Sequence, residues 1–100
     1  MTLIPESVQL PTLYATEGQG KTPRALVHLM HPVTDWHWYV LERGTGEDAH
    51  LVFGLVVGFE IEYGYADLNE LAANGVVYDA EWTPEAIGVV EQDARRIRGW

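Results

Sequence analysis

Stretches of apolar residues predict four consecutive β-strands in the first two thirds of the chain. They span residues 25–30, 36–42, 50–57 and 59–63. His31-Pro32 ends the first strand, because proline cannot donate a hydrogen bond to a sheet and restricts the residue before it. The Gly-Thr-Gly sequence at residues 44–46 predicts a hairpin loop between the second and third strands, and Gly58 permits a bend before the fourth.

The second and fourth predicted strands differ in how their faces are covered. The second has Trp36, Trp38 and Val40 on one face and His37, Tyr39 and Leu41 on the other. Because large side chains lie on both faces, we expect both to be covered at least in part. The fourth alternates apolar residues with Glu60 and Glu62, which predicts a half-exposed strand with both glutamates facing outward.

Capping signals predict two helices in the last third of the chain. Asp67 is placed to cap the first, Glu70 occupies the capping-box position, and Gly75 ends the helix. After a short strand over residues 76–82, Thr83-Pro84-Glu85 predicts the start of a second helix that runs to about residue 97. The residues expected to face inward are Leu68, Leu71 and Ala72 in the first helix, and Ile87, Val90, Ala94 and Ile97 in the second.

This order of elements predicts an α+β fold, a mainly antiparallel sheet with one or two helices packed on it. The chain has 100 residues, of which 47% are hydrophobic, so we expect a single domain over residues 1–100. No cysteine is present, which excludes disulfides, thiolate catalysis and thiolate zinc sites. The N-terminus lacks the features of a signal peptide, and the longest apolar stretch, residues 51–59, is too short to span a bilayer. We therefore expect a cytoplasmic protein.

The net charge and its distribution along the chain restrict the kind of macromolecule that the protein can bind. Fifteen acidic and six basic side chains give a net charge of −9. Residues 44–94 contain eleven acidic residues and no lysine or arginine, and Arg95, Arg96 and Arg98 follow them. Direct binding to DNA, RNA or an anionic membrane requires a basic surface, and this short tail is the one candidate for it. The acidity favours a partner with a basic surface, and the alternative is that it serves solubility alone.

Three blocks of sequence carry a resemblance to a known family. They are Pro-Thr-Leu-Tyr-Ala-Thr-Glu at residues 11–17, Asp-Trp-His-Trp-Tyr-Val-Leu-Glu at residues 35–42, and residues 53–65 followed by Leu68, Glu70 and Leu71. In order and spacing these blocks resemble the uncharacterised bacterial domain-of-unknown-function family 2958, except that Ile61 stands where the family pattern has proline. The resemblance implies a gene of plasmids, phages and other mobile elements, and a role against host defence or in maintenance of the element.

Charge and resemblance together predict an inhibitor, not an enzyme, in the cytoplasm of a bacterial host. Anti-CRISPR and anti-restriction proteins are similar in size and charge, so the predicted partner is a protein with a basic nucleic-acid-binding surface, such as a CRISPR surveillance complex. The chain would occupy that surface as a DNA mimic, without a cofactor. The predicted partner-binding residues are Glu60, Glu62, Tyr63, Tyr65, Asp67 and Glu70. The alternative function is a non-catalytic accessory or regulatory domain for plasmid or phage maintenance.

Residues that carry chemistry are sparse. The densest set of potential zinc ligands is His28, His31, Asp35 and His37. His28 and His31 point to opposite faces of a strand, so ordinary polar and turn roles also account for them. Glu60 and Glu62 would lie about 7 Å apart on one strand face, between the separations found in retaining and inverting glycosidases. Exposed strand glutamates are also common on acidic surfaces, which leaves a docking role open.

The aromatic residues leave alternatives open as well. Trp36, Trp38, Tyr39, Tyr63 and Tyr65 suit a stacking platform for bases, a hot spot for a protein partner, or the core. Base stacking is disfavoured, because no cations lie near them in the sequence. Nucleophilic catalysis has little support, since Ser7 is the only serine and Lys21 the only lysine. Residues 18–22 superficially resemble the end of a phosphate loop, but Pro23 blocks the helix that must follow.

Overall fold

A five-stranded antiparallel sheet lies between two layers in the computed structural model, which describes residues 3–100. Met1 and Thr2, the start of the predicted domain, lie outside the described residues. The elements are β1 (Arg24–Ala25), β2 (Val27–Met30), β3 (His37–Arg43), β4 (Leu51–Val57), β5 (Ile61–Asp67), α1 (Leu68–Ala73), β6 (Val77–Tyr78), β7 (Glu85–Ala86) and α2 (Ile87–Arg98). The large sheet has the order β5-β4-β3-β2-β6, and β1 pairs with β7 in a second sheet. Every pairing is antiparallel, which confirms the predicted α+β fold.

Both faces of the large sheet bury an apolar core. On one face, here called the α2 face, the buried cluster consists of Ala25, Leu41, Leu55, Val57, Ile61, Ile87, Val90 and Ala94. On the opposite face, the α1 face, the cluster consists of Ile4, Val27, Leu29, Val40, Val52, Leu68 and Val76. Trp38 packs on the α1 face and Tyr39 on the α2 face, so the predicted alternation along the second strand is confirmed.

The first predicted strand is divided between the two sheets. Ala25 pairs with Glu85 in the small sheet, whereas Val27 pairs with Val40 in the large one. Leu26 joins them, and its backbone N–H donates to the Val40 carbonyl at 3.1 Å. Because the chain needs an extended segment at residues 85–86 to pair with β1, α2 begins at Ile87, and the predicted helix start at residue 83 was wrong.

The fourth predicted strand begins later than the alternation indicated. Residues 58–60 form a bend, closed by a hydrogen bond from the Gly58 N–H to the Glu60 carbonyl at 2.9 Å, and β5 starts at Ile61. Gly58 is required here by close packing, since a Cβ would lie 2.6 Å from the ring of Trp36. Glu60 therefore precedes the strand. The prediction that Glu60 and Glu62 lie on one face of the same strand was wrong.

The first helix forms where its capping signals predicted. The Asp67 side chain accepts the backbone N–H of Asn69 at 2.9 Å, and α1 ends before Gly75, whose φ is +92°. Leu68 is buried and Leu71 is half-buried, but Ala72 is exposed, because α1 is a single short helix that contacts the sheet along a narrow stripe.

The second helix buries three of its four predicted inward residues. Ile87, Val90 and Ala94 are buried, whereas Ile97 is 80% exposed. Ile97 borders an open groove of about 330 Å³ that Tyr39 and Trp82 also line. No helix within residues 3–100 is long and apolar enough to cross a membrane.

The predicted strand over residues 76–82 is reduced to β6. Val77 and Tyr78 pair with β2, and the Asp79 N–H donates to the His28 carbonyl at 3.0 Å. The chain then turns, with a hydrogen bond from the Trp82 N–H to the Asp79 carbonyl at 3.3 Å. This turn returns Trp82 to the α2 face, where its indole N–H donates to the Ala25 carbonyl at 2.9 Å.

Candidate functional site

The six predicted partner-binding residues fall in three different places. Glu60 and Glu62 lie at the end of the sheet where β5 begins, near Trp36 and Phe59. Tyr63 and Tyr65 point to the α2 face and line a cleft there. Asp67 and Glu70 lie at the other end of β5, where Asp67 caps α1. The structure thus does not bring the six together as one surface, because Glu62 points to the opposite face of β5 from Tyr63 and Tyr65, while Asp67 and Glu70 lie at the far end of the strand.

The first of these places is a surface that we call the acidic aromatic end, formed by Trp36, Phe59, Glu60 and Glu62. Together with Val56 and Gly58 these residues line a depression of about 150 Å³. The rings of Trp36 and Phe59 meet edge to face, with 5.1 Å between their centroids. Phe59 is 84% exposed, although a ring of this size is usually buried. A second groove of about 370 Å³, lined by Phe59, Glu60, Ile61, Arg95 and Trp100, continues this surface.

The two glutamates of this end have no ion-pair partner among residues 3–100. All six lysine and arginine side chains are engaged inside the molecule instead. Lys21 and Arg95 bind Glu91, Arg96 binds Asp93, and Arg24, Arg43 and Arg98 donate to backbone carbonyls. In the single basic segment of the sequence, Arg95 and Arg96 thus form ion pairs with acidic side chains of α2, whereas Arg98 donates to neutral carbonyls.

The second place is a cleft on the α2 face, which we call the tyrosine cleft. It has a volume of about 700 Å³ and is lined by aromatic, glycine and charged residues. Those used below are Tyr14, Glu17, Lys21, Glu42, Phe53, Tyr63 and Tyr65. One wall is β4 and β5, where Phe53 and Tyr65 pack with 5.0 Å between ring centroids. The other wall is the loop of residues 12–22, which crosses the end of the sheet.

Glu42 is the residue that positions this loop. Its carboxylate accepts the backbone N–H of Tyr14 at 2.8 Å and that of Thr16 at 2.9 Å, and it also accepts the Thr16 hydroxyl. The side chain reaches the loop because a bulge between Val40 and Glu42 shifts the register of β3 against β4. Glu42 is only 2% exposed, and three donors satisfy its carboxylate inside the protein.

A charged network closes the side of the cleft nearest α2. The Lys21 ammonium donates to Glu91 Oε1 at 2.7 Å and to the Tyr63 hydroxyl at 3.0 Å, and Tyr63 also donates to Glu91 at 2.7 Å. The hydrogen bonds from Lys21 and then Tyr63 lower the pKa of Glu91 to about 2. Burial raises the pKa of the Tyr63 hydroxyl, which keeps it a hydrogen-bond donor at neutral pH.

Apart from these three places, the structure contains a chain of hydrogen bonds, here called the histidine chain, that the sequence only partly indicated. Asp79 bonds His28 Nδ1, His28 Nε2 bonds His37 Nδ1, and His37 Nε2 bonds Asp35, each at 2.8 Å. Three members of the predicted zinc set thus come together, but His31 does not join them. It contacts the Asn74 carbonyl at 2.8 Å instead. Within the part of the chain that the structure describes, no three such side chains are arranged to hold a metal ion.

Within the histidine chain, His28 is the buried member and lies against aromatic rings. His28 is 7% exposed, and its ring stacks on Tyr39 with 4.6 Å between centroids. Burial lowers the pKa of His28, although the hydrogen bond to Asp79 opposes this effect. The same hydrogen bond lowers the pKa of Asp79. Sequence reasoning missed Asp79, because a separation of 51 residues gives no local signal that the two side chains meet.

Phe59 and Glu42 were also missed as site residues. Phe59 was assigned to a strand, whereas its position in the bend is what exposes it. Glu42 ends an apolar strand sequence, and nothing local to it indicates a bulge. Because Glu60 lies outside β5, the strand spacing that suggested a glycosidase-like carboxylate pair does not apply. No protein-family model, curated protein or solved structure matches the chain, so the resemblance to family 2958 stays a prediction.

Proposed function

We propose that this chain is a binding protein whose acidic aromatic end docks on a basic surface of another protein. The observation that carries the proposal is the pairing of free carboxylates with an exposed ring. Glu60 and Glu62 lie beside Phe59, which is 84% exposed, and neither glutamate forms an ion pair with a described cation. An exposed aromatic ring beside unpaired carboxylates is the kind of surface that suits a docking site.

The chemistry of this end matches that of protein interaction hot spots. Such sites place an aromatic anchor at the centre and polar or charged residues around it. Burying the Phe59 side chain against a partner would contribute about 1.5–3 kcal/mol. The carboxylates would bind arginine or lysine side chains through charge-assisted hydrogen bonds and would also speed association.

The finer form of the proposal names the class of partner. A basic surface that attracts carboxylates in this way is typical of proteins that bind the phosphates of DNA or RNA. We therefore propose that the chain inhibits a nucleic-acid-binding defence complex of a bacterial host, of the anti-CRISPR or anti-restriction type, by occupying that surface. The net charge of −9 and the internal use of the basic side chains support this form.

A second function is favoured by the apolar part of the same surface. Trp36, Phe59 and the 53% exposed Trp100 would also suit an apolar partner, as in an accessory domain for plasmid or phage maintenance. The two functions differ in their dependence on salt. Salt screens contacts between carboxylates and a basic groove, but it leaves aromatic burial intact.

The test is affinity capture from a bacterial lysate at low and at high salt, followed by a nucleic-acid-binding assay on the captured protein. The inhibitor proposal predicts a partner that binds DNA or RNA by itself, loses it when the chain is added, and is released by salt. The double variant Glu60→Lys/Glu62→Lys should capture none of it. Glu47→Lys/Asp48→Lys makes the same change of charge at exposed sites in the β3–β4 loop and should still capture it. Equal capture by both variants would contradict the proposal.

A further inference from the structure

The tyrosine cleft contains an anion that lacks a counter-ion. Glu42 is 2% exposed at its floor, and its three hydrogen-bond donors are all neutral groups of the loop. No lysine, arginine or histidine among residues 3–100 forms an ion pair with it. Buried carboxylates are usually paired with a cation as well as hydrogen-bonded, so the cleft carries a negative charge that nothing in the described chain neutralises.

The other charged side chains that line the tyrosine cleft leave it with an excess of negative charge. Glu17 adds a second carboxylate to the lining, and Lys21 adds the single ammonium group. The Nζ of Lys21 lies 2.7 Å from Glu91 Oε1, a residue of α2 outside the lining that also binds Arg95. With two carboxylates and one ammonium group, the residues that line the cleft carry one net negative charge.

The aromatic rings of the cleft are placed to receive a cation. The Lys21 ammonium lies 4.4 Å from the centroid of Tyr63, which is the geometry of a cation–π contact. Within the same cleft Tyr14, Phe53 and Tyr65 have no such cation over their faces in the described chain. Tyr14 and Tyr65 are 64% and 53% exposed, so their rings are open to a ligand from solvent.

The loop holds Tyr14 in this position at a conformational cost. Its φ is +71°, a left-handed value that a tyrosine rarely adopts. The hydrogen bond from its backbone N–H to Glu42 fixes the conformation. Strained residues of this kind gather at ligand sites, because the surrounding structure holds them in place for contact.

From these contacts we infer that the tyrosine cleft binds the guanidinium group of an arginine side chain from the partner protein. A guanidinium is planar, so it stacks on the faces of Tyr14 or Tyr65 while its N–H groups donate to Glu17 and to the tyrosine hydroxyls. Its charge offsets those of Glu42 and Glu17. An arginine is favoured over lysine because a point-like ammonium cannot stack and donate to several acceptors at once.

This inference rests on the proposed function only for the source of the arginine. Tyr65 and Glu62 lie on the two faces of β5, which is an edge strand of the large sheet. A basic partner that lies along this edge would reach the acidic aromatic end with one surface and the cleft with another. The cleft itself is a property of the chain alone and can be measured without the partner.

The experiment is a titration of the isolated protein with N-acetyl-arginine amide, followed by NMR of the aromatic and backbone signals. N-acetyl-citrulline amide, which has the same shape without the charge, is the matched control. We expect saturable shifts of Tyr14, Phe53 and Tyr65 with a Kd on the order of 1–10 mM for arginine, and no saturation for citrulline. Equal responses to both probes, or shifts confined to Phe59 and Trp36, would overturn the inference.

Two variants test the assignment within the cleft. Tyr65→Leu removes an exposed ring, and Glu17→Gln removes an exposed charge, so neither disturbs the buried core. Each should weaken arginine binding by about threefold to tenfold, and unchanged affinity in both would overturn the inference. Glu60→Lys/Glu62→Lys should leave the titration unchanged. Retained partner capture by this double variant, with arginine binding intact, would then count against the proposed function alone.

Discussion

Glu42 and Tyr14 are joined by a hydrogen bond of 2.8 Å between the glutamate carboxylate and the tyrosine backbone N–H. The two residues are 28 positions apart, and the bond fixes Tyr14 in a left-handed conformation with φ of +71°. The same carboxylate binds the backbone N–H of Thr16. One buried side chain thus shapes the whole loop that forms the outer wall of the tyrosine cleft.

Replacing this carboxylate should loosen the loop and destabilise the protein. In Glu42→Gln one carboxylate oxygen becomes an NH₂ group. An NH₂ group cannot accept a hydrogen bond, so the backbone N–H that it faces loses its acceptor. We expect a loss of about 1–3 kcal/mol in the free energy of unfolding, measured by urea denaturation. Glu17→Gln, at an exposed position in the same loop, should change it by less than about 0.5 kcal/mol. Equal stability of the two variants would mean that Glu42 does not hold the loop.

Glu91 should make stability depend on acid pH. Its pKa in the folded protein is about 2, below the ordinary value of 4.5, because Lys21 and Tyr63 donate to its carboxylate. A carboxyl group with a lowered pKa contributes stability above its unfolded pKa, and that contribution is lost as pH falls from about 4.5 towards 2. Glu91→Gln should lower the free energy of unfolding at pH 7 by roughly 1 kcal/mol. It should also reduce the loss of stability between about pH 4.5 and pH 2.

The measurement is the urea midpoint at pH 7 and at pH 3, in the parent and in the variant. Glu85→Gln is the control, since Glu85 is exposed and forms no ion pair within the described chain. The parent should lose more stability between the two pH values than Glu91→Gln does. An equal loss in both proteins would show that the network around Lys21 does not hold the Glu91 charge.

The histidine chain places a buried imidazole between two polar partners. Three hydrogen bonds link Asp79, His28, His37 and Asp35. Burial lowers the pKa of His28, although the hydrogen bond to Asp79 opposes this effect. A positive charge on the His28 ring therefore costs free energy in the folded protein.

Protonation of His28 should therefore destabilise the fold. Because the folded pKa of His28 lies below the unfolded value of 6.5, the stability associated with it is present above pH 6.5. It falls as pH drops from 6.5 towards the folded pKa, where the unfolded chain binds more protons. His28→Gln should reduce this loss of stability below pH 6.5. His50→Gln, at a partly exposed site outside the histidine chain, should leave it unchanged. NMR titration of the histidine signals checks the assignment, and an unperturbed midpoint for His28 would contradict it.

A methyl group at Gly58 should disturb the acidic aromatic end directly. The Cβ of Gly58→Ala would lie 2.6 Å from the Trp36 ring, so the ring must move. We expect a loss of about 1–3 kcal/mol in the free energy of unfolding and a changed fluorescence from Trp36. Gly64→Ala on β5 is the matched control, because its Cβ meets no atom within 4 Å. If both variants behave like the parent, the packing of Trp36 on Gly58 is not required.

Local patterns predicted the large strands and α1 well, because they depend on neighbouring residues. The alternation in residues 36–42 and the cap at Asp67 are signals of this kind. The predicted start of α2 was wrong, because Glu85 pairs with Ala25 in a strand and does not begin the helix. This pairing is a contact across 60 residues, which no local pattern indicates. The candidate site residues were harder to predict than the strands and helices. The bulge at Glu42, the exposed position of Phe59 and the pairing of His28 with Asp79 all arise from tertiary packing.

The most direct test of the central proposal is a competition experiment with the captured partner and a labelled nucleic acid that it binds. Increasing amounts of the chain should release the nucleic acid, and Glu60→Lys/Glu62→Lys should need at least about a hundredfold higher concentration. Glu47→Lys/Asp48→Lys should compete as the parent does. Release by the parent that the Glu60 and Glu62 substitutions do not weaken, or no release at all, would contradict docking of the acidic aromatic end on a basic nucleic-acid-binding surface.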